Sequence, residues 1–493
     1  VQSGQASLTT ISSETEGLIP IGMGIDQHAV LYRAGDKIIR AIKPGWTDFY
    51  GSLLENPIIA KLMNDGILID TRVSDKKLKG HELVLEHPVL PVVTYPFEWT
   101  PSMYRDAAVT ILKLNIELLK GGLCTHDAHL WNVLFDGITP RFVDFTSIIK
   151  ALPGNKWRAK EQFSHYCLNP LLIMRSGFPT TARSLLREIL SYPDPLMVQT
   201  LTKGPIRTLQ VREHVKKMGR GFLEYLSVRI SPNAKNMLKK ARGVAIGISS
   251  ALEKNDDVSN VTDMLDKIES LDLRPAITQW SDYYSGKNEL PVYDGSADVL
   301  TRIREATPKH MLISRLLQAI KPKSVLDLGC NRGLYCQVAA LQGSRVVGVD
   351  IDERALDDMY LDSKRLKTGA LPLYVNAVAP AQAIGFQEIP FPSVVERLRS
   401  ELVMCLALVH HLVFKTTRMS FAHIAKVFDS YSEKYLIVEF VPKEDAHVRS
   451  WYTEDFGWYN LDNFKAALAR HFPKIEMHES FPSPRVIIFA TKH

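Results

Sequence analysis

The nine residues Val325-Leu326-Asp327-Leu328-Gly329-Cys330-Asn331-Arg332-Gly333 constrain this chain more than any others. An apolar strand runs into a tight turn with a glycine at either end, and an alanine-rich helix follows. Glycine supplies the positive φ values and the close backbone approach that such a turn needs. Around this turn the chain alternates helical stretches with short apolar runs at 324–328, 345–350, 371–375, 401–406 and 435–440. That alternation predicts a parallel sheet flanked by helices. The second run ends on Asp350, and a carboxylate there can accept both hydroxyls of a ribose.

Two kinds of ligand use this layout. A dinucleotide needs G-x-G-x-x-G so that its pyrophosphate can rest on the helix N-terminus. Here Asn331 and Leu334 stand where that pattern wants glycine. S-adenosylmethionine has no pyrophosphate, tolerates a side chain at that point, and wants an acid such as Asp327 near its amino-acid end. The plain alternative is an α/β turn with no ligand. The glycine turn together with the acid at the next strand end favours the sulfonium nucleoside. Beyond the fourth run lie His410 and His411, whose imidazoles titrate near neutrality and suit proton transfer. One of them could equally pack inside the next helix. Glu439, Lys443 and Asp445 follow the fifth run, at the carboxyl end of the sheet where such folds bind ligands. A salt-bridged surface cluster would read the same way.

The segment from Asp327 to Gly333 resembles motif I of class I S-adenosylmethionine-dependent methyltransferases. The resemblance implies a Rossmann-like, seven-stranded methyltransferase sheet. It makes Asp327, Gly329, Asn331, Gly333, Asp350 with Ile351 beside it, Asn376, Ala377 and Leu406 cofactor-binding residues. It also implies that the protein mainly holds a nucleophile in line with an already activated methyl group. An alcohol nucleophile would need a base as well, for which His410, His411 and Glu439 are the candidates.

A second constellation lies upstream. Asp127, then Asn132, then Asp144 on the far end of a strand–loop–strand follow the layout of a phosphotransfer centre. One carboxylate meets the acceptor hydroxyl there, and the Asn and second Asp hold Mg²⁺ against phosphates. The segment resembles the protein-kinase and aminoglycoside-kinase superfamily, which implies a bilobal fold, ATP and Mg²⁺. Asp127 becomes the base, and Asn132 and Asp144 the metal ligands. The departures are marked: Thr146 replaces the usual glycine, His126 directly precedes Asp127, and Gly22-Met23-Gly24 makes a poor phosphate-covering loop. Arg40 or Lys43 could be the phosphate-binding cation; they sit three positions apart and so point to opposite faces of a strand. Glu55 is the candidate ion-pair partner.

Length and composition set the frame. At about 150 residues per domain, 493 residues need more than one domain. The expected division is a loose tail over 1–16, a kinase-like domain over 17–275 and a methyltransferase domain over 276–493. The kinase-like part splits into an N-lobe over about 17–98 and a helical C-lobe over about 99–275. The fold class is therefore mixed, α/β and α+β. A strong amphipathic helix is read over 103–120, and another over 52–64 with Pro57 near its middle. A net charge of +6 argues against a nucleic-acid partner, which usually requires a concentrated basic stripe. The basic run 235–242 reads as a solvated helix face. Five widely spaced cysteines make no disulfide framework or zinc site, which points to a reducing cytoplasm. No apolar run reaches the roughly 18 residues of a membrane span. Trp280, Tyr283, Tyr284 and Tyr293 could roof a substrate pocket or cover a core.

Taken in order, Glu86-His87-Pro88, Tyr95-Pro96-Phe97-Glu98-Trp99, the Asp127/Asn132/Asp144 set, the segment from Leu406 to Leu412 and Glu439-Phe440-Val441-Pro442-Lys443 are similar to a bacterial group of large methyltransferases related to nodulation proteins. The resemblance implies methyl transfer to a small-molecule or glycan acceptor, with a kinase-like part that selects the substrate or regulates. A bifunctional kinase–methyltransferase and a pseudokinase module gating a methyltransferase are the alternatives.

Overall fold

The structure is a computed structural model that describes residues 17–21, 26–187, 192–193, 195–202, 257–281, 299–304, 307–382, 384–386 and 389–493. The tail 1–16, the Gly22-Met23-Gly24 loop, the basic run 235–242 and Tyr283, Tyr284 and Tyr293 lie outside these residues. The chain divides into two compact units. The first gathers Val1–Tyr104, Val133–Thr146 and Arg274–His493; the second holds Arg105–Asn132 and Ser147–Leu273.

The first unit begins with an antiparallel sheet of β1 (Ile19–Pro20), β2 (Ala29–Ala34), β3 (Lys37–Ile42), β4 (Arg72–Val73) and β5 (Val84–Pro88), ordered β1-β2-β3-β5-β4. The single helix expected over 52–64 is two, Thr47–Leu54 and Pro57–Asn64. Pro57 opens the second rather than interrupting the first. Its missing N–H costs nothing at a first helical position, and Asn56 caps the helix by accepting from the Ile58 N–H at 2.9 Å.

In the second unit β6 (Leu123–Thr125) pairs with β9 (Ile148–Lys150), and Thr125 donates its N–H to Asn115 Oδ1 of the long helix Pro101–Lys120 at 2.9 Å. The hairpin β7 (Val133–Asp136) and β8 (Thr139–Phe142) belongs to the first unit, where a hydrogen bond from Ile69 N–H to Phe142 O, 2.9 Å, ties it to the N-terminal sheet region. Asp144 falls two residues past β8 and not on its end.

The larger sheet of the first unit uses β10 (Ser324–Leu328), β11 (Arg345–Asp350), β12 (Leu371–Tyr374), β15 (Ser400–Cys405), β16 (Ser432–Phe440), β17 (Lys474–Glu479) and β18 (Val486–Thr491); a short hairpin, β13 (Ile384–Phe386) with β14 (Ile389–Phe391), precedes β15. Its order is β12-β11-β10-β15-β16-β18-β17. The first five are mutually parallel and β18 runs antiparallel to its neighbours. Every residue of β10 is buried, as a central strand covered on both faces requires. Leu317, Leu334, Val338, Val346, Leu356 and Met404 belong to one apolar cluster packed on the sheet. The chain leaves β10 toward β11 and β12, then returns to β15 on the other side. That reversal makes the carboxyl ends of β10 and β15 a topological switch point, the place where open α/β sheets bind ligands.

The periodicity reading did not place β17 and β18. Residues of β17 are mostly exposed, so its pattern carries little apolar signal. Among the described residues no helix is long and apolar enough to cross a membrane.

Side chains far apart in sequence tie the N-terminal sheet region to the larger sheet within this unit. Arg397 forms a buried ion pair with Glu98, Nη1 to Oε2 3.1 Å, and its guanidinium lies 3.8 Å from the Tyr95 ring centroid. Ser102 donates its N–H and Oγ–H to the two oxygens of buried Asp357, at 2.8 and 2.9 Å. Glu98 and Tyr95, singled out in the sequence, serve packing here.

Candidate functional site

The turn after β10 is held against β11 by its own backbone. Gly329 and Cys330 donate N–H groups to Val349 O at 2.8 and 3.2 Å. Gly329 and Gly333 both have φ +75, and a Cβ on Gly333 would lie 2.4 Å from Met359 Sδ. Only glycine meets both demands there. Asn331 also takes a left-handed conformation, φ 50, which Asn tolerates better than most residues. Its N–H donates to Asp350 Oδ2 at 2.8 Å.

Asp350 sits where β11 ends. Its other oxygen accepts from Ile351 N–H at 2.7 Å and Asp352 N–H at 2.9 Å. Burial nevertheless raises its pKa above the usual carboxylate value, outweighing the three backbone donors. Oδ1 is filled by its two donors, while Oδ2, with Asn331 N–H alone, keeps one acceptor position for a further donor. Ile351 beside it is 54% exposed, an apolar surface next to a polar one. Asn376, exposed after β12, folds back on its own turn by accepting from Val378 and Ala379 N–H groups at 3.2 and 3.3 Å. Ala377 O accepts from Tyr431 Oη at 3.2 Å.

Asp327 lies within β10 and is buried. Its described hydrogen-bond donor is the Cys336 thiol, Sγ to Oδ2 3.4 Å. Burial raises its pKa to about 7. A buried carboxylate without a cation in direct contact is costly to ionise, which is why the group is shifted toward its neutral form.

Leu406 ends the fourth parallel strand's apolar run, and Ala407 follows with φ 52. A non-glycine residue in that region is strained, and such strain gathers at ligand sites. Leu408 covers Gly329, on which a Cβ would lie 3.0 Å from Leu408 Cδ2. His410 and His411 come next. His410 is buried, its Nδ1 has no hydrogen-bond partner, and its ring stacks on Trp451 at 5.9 Å. Burial, then His411, pushes its pKa down to about 2. His411 meets the Trp280 ring edge-on at 5.2 Å and the Trp451 ring at 5.2 Å. Burial, then His447, lowers it to about 4. Both imidazoles are therefore neutral at pH 7.

Glu439 occupies a different setting. It is fully buried, with Oε2 2.6 Å from Lys309 Nζ and Oε1 accepting from Ser480 Oγ at 2.8 Å. Both oxygens are engaged in a core ion pair. Asp445 accepts from Arg485 Nε at 2.8 Å, and the Lys443 Nζ lies 5.2 Å from the Tyr452 ring centroid.

The upstream constellation draws on both units. Asp127 and Asn132 fall in the second unit, Asp144 in the first. Burial alone would raise the Asp127 carboxyl, but hydrogen bonds from His126 and Gln162 (2.9 Å each) outweigh it and bring it down to about 2. Asn132 Nδ2 is buried without a hydrogen-bond partner. In the first unit Arg40 is buried and its Nη1 lies 3.0 Å from both Asp26 Oδ2 and Asp144 Oδ1. Lys43, one residue past β3, donates to the Asp26 carbonyl at 2.6 Å. Glu55 is exposed and is not among Arg40's partners.

Sequence reading missed Asp26, Lys309, His310 and Trp451. His310 is fully buried, with Nε2 unpartnered, and stacks on Tyr335 at 5.4 Å. No local pattern marks these residues; Thr146 alone was flagged, as a departure from the kinase-like motif.

No protein-family model matches the chain. It is similar to the nodulation protein NoeA of Rhizobium meliloti (strain 1021), 28% identical over 470 residues that cover 92% of each chain. The nodulation-protein resemblance carried by the ordered motifs thus extends along nearly the whole chain. Among solved structures, it is similar to the bifunctional kinase-methyltransferase WbdD, 17% identical with a TM-score of 0.30, over 43% of this chain and 42% of that one. It is also similar to magnesium protoporphyrin IX methyltransferase (ChlM) from Synechocystis PCC 6803 with bound SAM, 16% identical with a TM-score of 0.27, over 44% of this chain and 99% of that one.

Proposed function

We propose that the chain is an S-adenosylmethionine-dependent methyltransferase whose acceptor is a small-molecule or glycan hydroxyl. The observation that carries this reading is the pairing of Asp350 with Asp327 around one glycine turn. Asp350 is fixed by three backbone N–H groups and keeps an acceptor position on Oδ2 for a ribose hydroxyl. Asp327 offers a buried carboxylate to an ammonium or sulfonium. The residues present therefore fit a cationic nucleoside, with Ile351 against its apolar face. A dinucleotide phosphate fits worse, because Asp327 would repel it.

When bound, the cofactor supplies an activated methyl group. The chain's own residues hold the acceptor oxygen in line with it and manage one proton. Trp280, His411 and Trp451 form an aromatic wall at the carboxyl end of β15 on which an acceptor can stack. A hydroxyl becomes strongly acidic as its oxygen takes a methyl, so even the weakly basic His411 imidazole accepts that proton. Glu439, engaged by Lys309 and Ser480, is assigned to positioning the helix Pro308–Ile320 rather than to proton transfer.

Calorimetric titration with S-adenosylmethionine tests the reading. Asp350→Ala is expected to lose affinity by about 10- to 100-fold, as a hydrogen bond to a charged acceptor is worth about 1.5–3 kcal/mol. Its circular dichroism and melting should match those of the unsubstituted protein. Equal affinity in the two proteins would remove the site assignment.

A further inference from the structure

The kinase-like resemblance implies a Mg²⁺ ion at Asp144, and the residues around Asp144 do not fit one. The Arg40 guanidinium already occupies the position between two carboxylates. Its Nη1 contacts Asp26 Oδ2 and Asp144 Oδ1, both at 3.0 Å, and reaches the Thr146 hydroxyl. Nη2 donates to Val143 O at 3.3 Å. Nε donates to His87 Nε2 at 3.3 Å. Burial, and next the Arg40 charge, hold His87 at a pKa of about 3, so its ring is neutral and can accept.

The surroundings complete the arrangement. Thr146 Oγ1 lies 2.6 Å from Asp26 Oδ2 and 3.1 Å from Asp144 Oδ1. Asp26 Oδ1 is taken by the His28 and Ala29 N–H groups at 2.8 and 3.1 Å. Tyr50 Oη donates to Thr146 O at 2.6 Å, which ties down the backbone at Thr146. The Arg40 side chain is 4% exposed. The residue that departs from the kinase pattern, Thr146, is thus one of the groups that hold the arginine.

Mg²⁺ needs oxygen ligands at about 2.0–2.1 Å in near-octahedral geometry. Arginine keeps its charge at any physiological pH, and its planar fork spans two carboxylates where a lysine would act as a displaceable point charge. A divalent ion would sit within a few ångströms of that charge, in a setting with little solvent to screen it. We propose that Arg40 stands in for the divalent cation at Asp26 and Asp144, so that this half of the chain takes no Mg²⁺ there and does not use these carboxylates for phosphoryl transfer.

Titration with MnCl₂, followed by the electron paramagnetic resonance signal of free Mn²⁺, tests this on the full chain. The unsubstituted protein and Asp144→Asn should bind the same amount of Mn²⁺ up to the millimolar range. Arg40→Met should bind one more equivalent, and Arg40→Met/Asp144→Asn should lose it again. One equivalent bound at micromolar concentration by the unsubstituted protein and lost in Asp144→Asn overturns the proposal. So does a folded Arg40→Met protein that gains no Mn²⁺. If Arg40→Met fails to fold, the first comparison decides: equal binding supports the proposal and a difference contradicts it.

Discussion

Two aspartates 23 residues apart define the candidate cofactor site, and they behave differently because their surroundings differ. Asp350 is surrounded by backbone donors, whereas Asp327 has a thiol and an apolar wall. Burial moves the Asp327 pKa from 3.8 to about 7. Between those values the folded protein keeps a proton that the unfolded chain has released, so ionising Asp327 costs stability as pH rises through that window. A cationic ligand reverses the preference, because it binds best to the carboxylate. Affinity for S-adenosylmethionine should therefore rise with pH up to about 7, by at most about tenfold per pH unit for one linked proton, and then level off. Asp327→Asn should bind more weakly and show no such rise. Measuring Kd from pH 5.5 to 8.5 checks this, and an unchanged slope in Asp327→Asn would assign the titration elsewhere. His410 and His411 do not supply a rise between pH 5.5 and 7, since burial holds them at about 2 and about 4.

The elements explain what the sequence made visible. The turn after β10 was legible because its determinants are local: a fully buried strand, two glycines and an acid one strand later. Gly333 is the sharpest case. Gly333→Ala combines a left-handed φ with a Cβ 2.4 Å from Met359 Sδ. Strain and overpacking together should lower stability by about 2–4 kcal/mol. Urea unfolding measures it, and in a Met359→Ala background only the backbone share, about 1 kcal/mol, should remain. A full-sized loss in that background would show that Met359 is not the obstacle. Other features were not legible, for identifiable reasons. Choosing Arg40 over Lys43 required knowing that β3 stops at Ile42 and that Asp26 packs against it. Glu439 stayed open between a candidate base and a salt-bridged surface cluster because Lys309, its buried partner, is 130 residues away. Pro57 was placed inside a single helix over 52–64, whereas Asn56 before it caps a second helix that Pro57 opens.

At the scale of the whole molecule, contacts between distant segments set the roles of the sequence motifs. Glu98 lies in a conspicuous aromatic segment, yet its buried carboxylate pairs with Arg397, just before β15. Ser102 grips Asp357 on the helix between β11 and β12, and Tyr360 of that helix donates to Ile138 O in the β7–β8 turn at 3.2 Å. The first unit thus builds the switch point at β10 and β15 on a frame that the N-terminal sheet region helps to hold. The proposed division puts the chemistry at the larger sheet and has Arg40 neutralise Asp26 and Asp144. A crystal of the full chain soaked with S-adenosylhomocysteine examines that division directly. A ribose hydroxyl should lie within hydrogen-bond distance of Asp350, the amino group near Asp327 and the sulfur facing the wall of Trp280, His411 and Trp451. Clear density for the nucleoside anywhere else, or a site filled by side chains at saturating ligand, would contradict it.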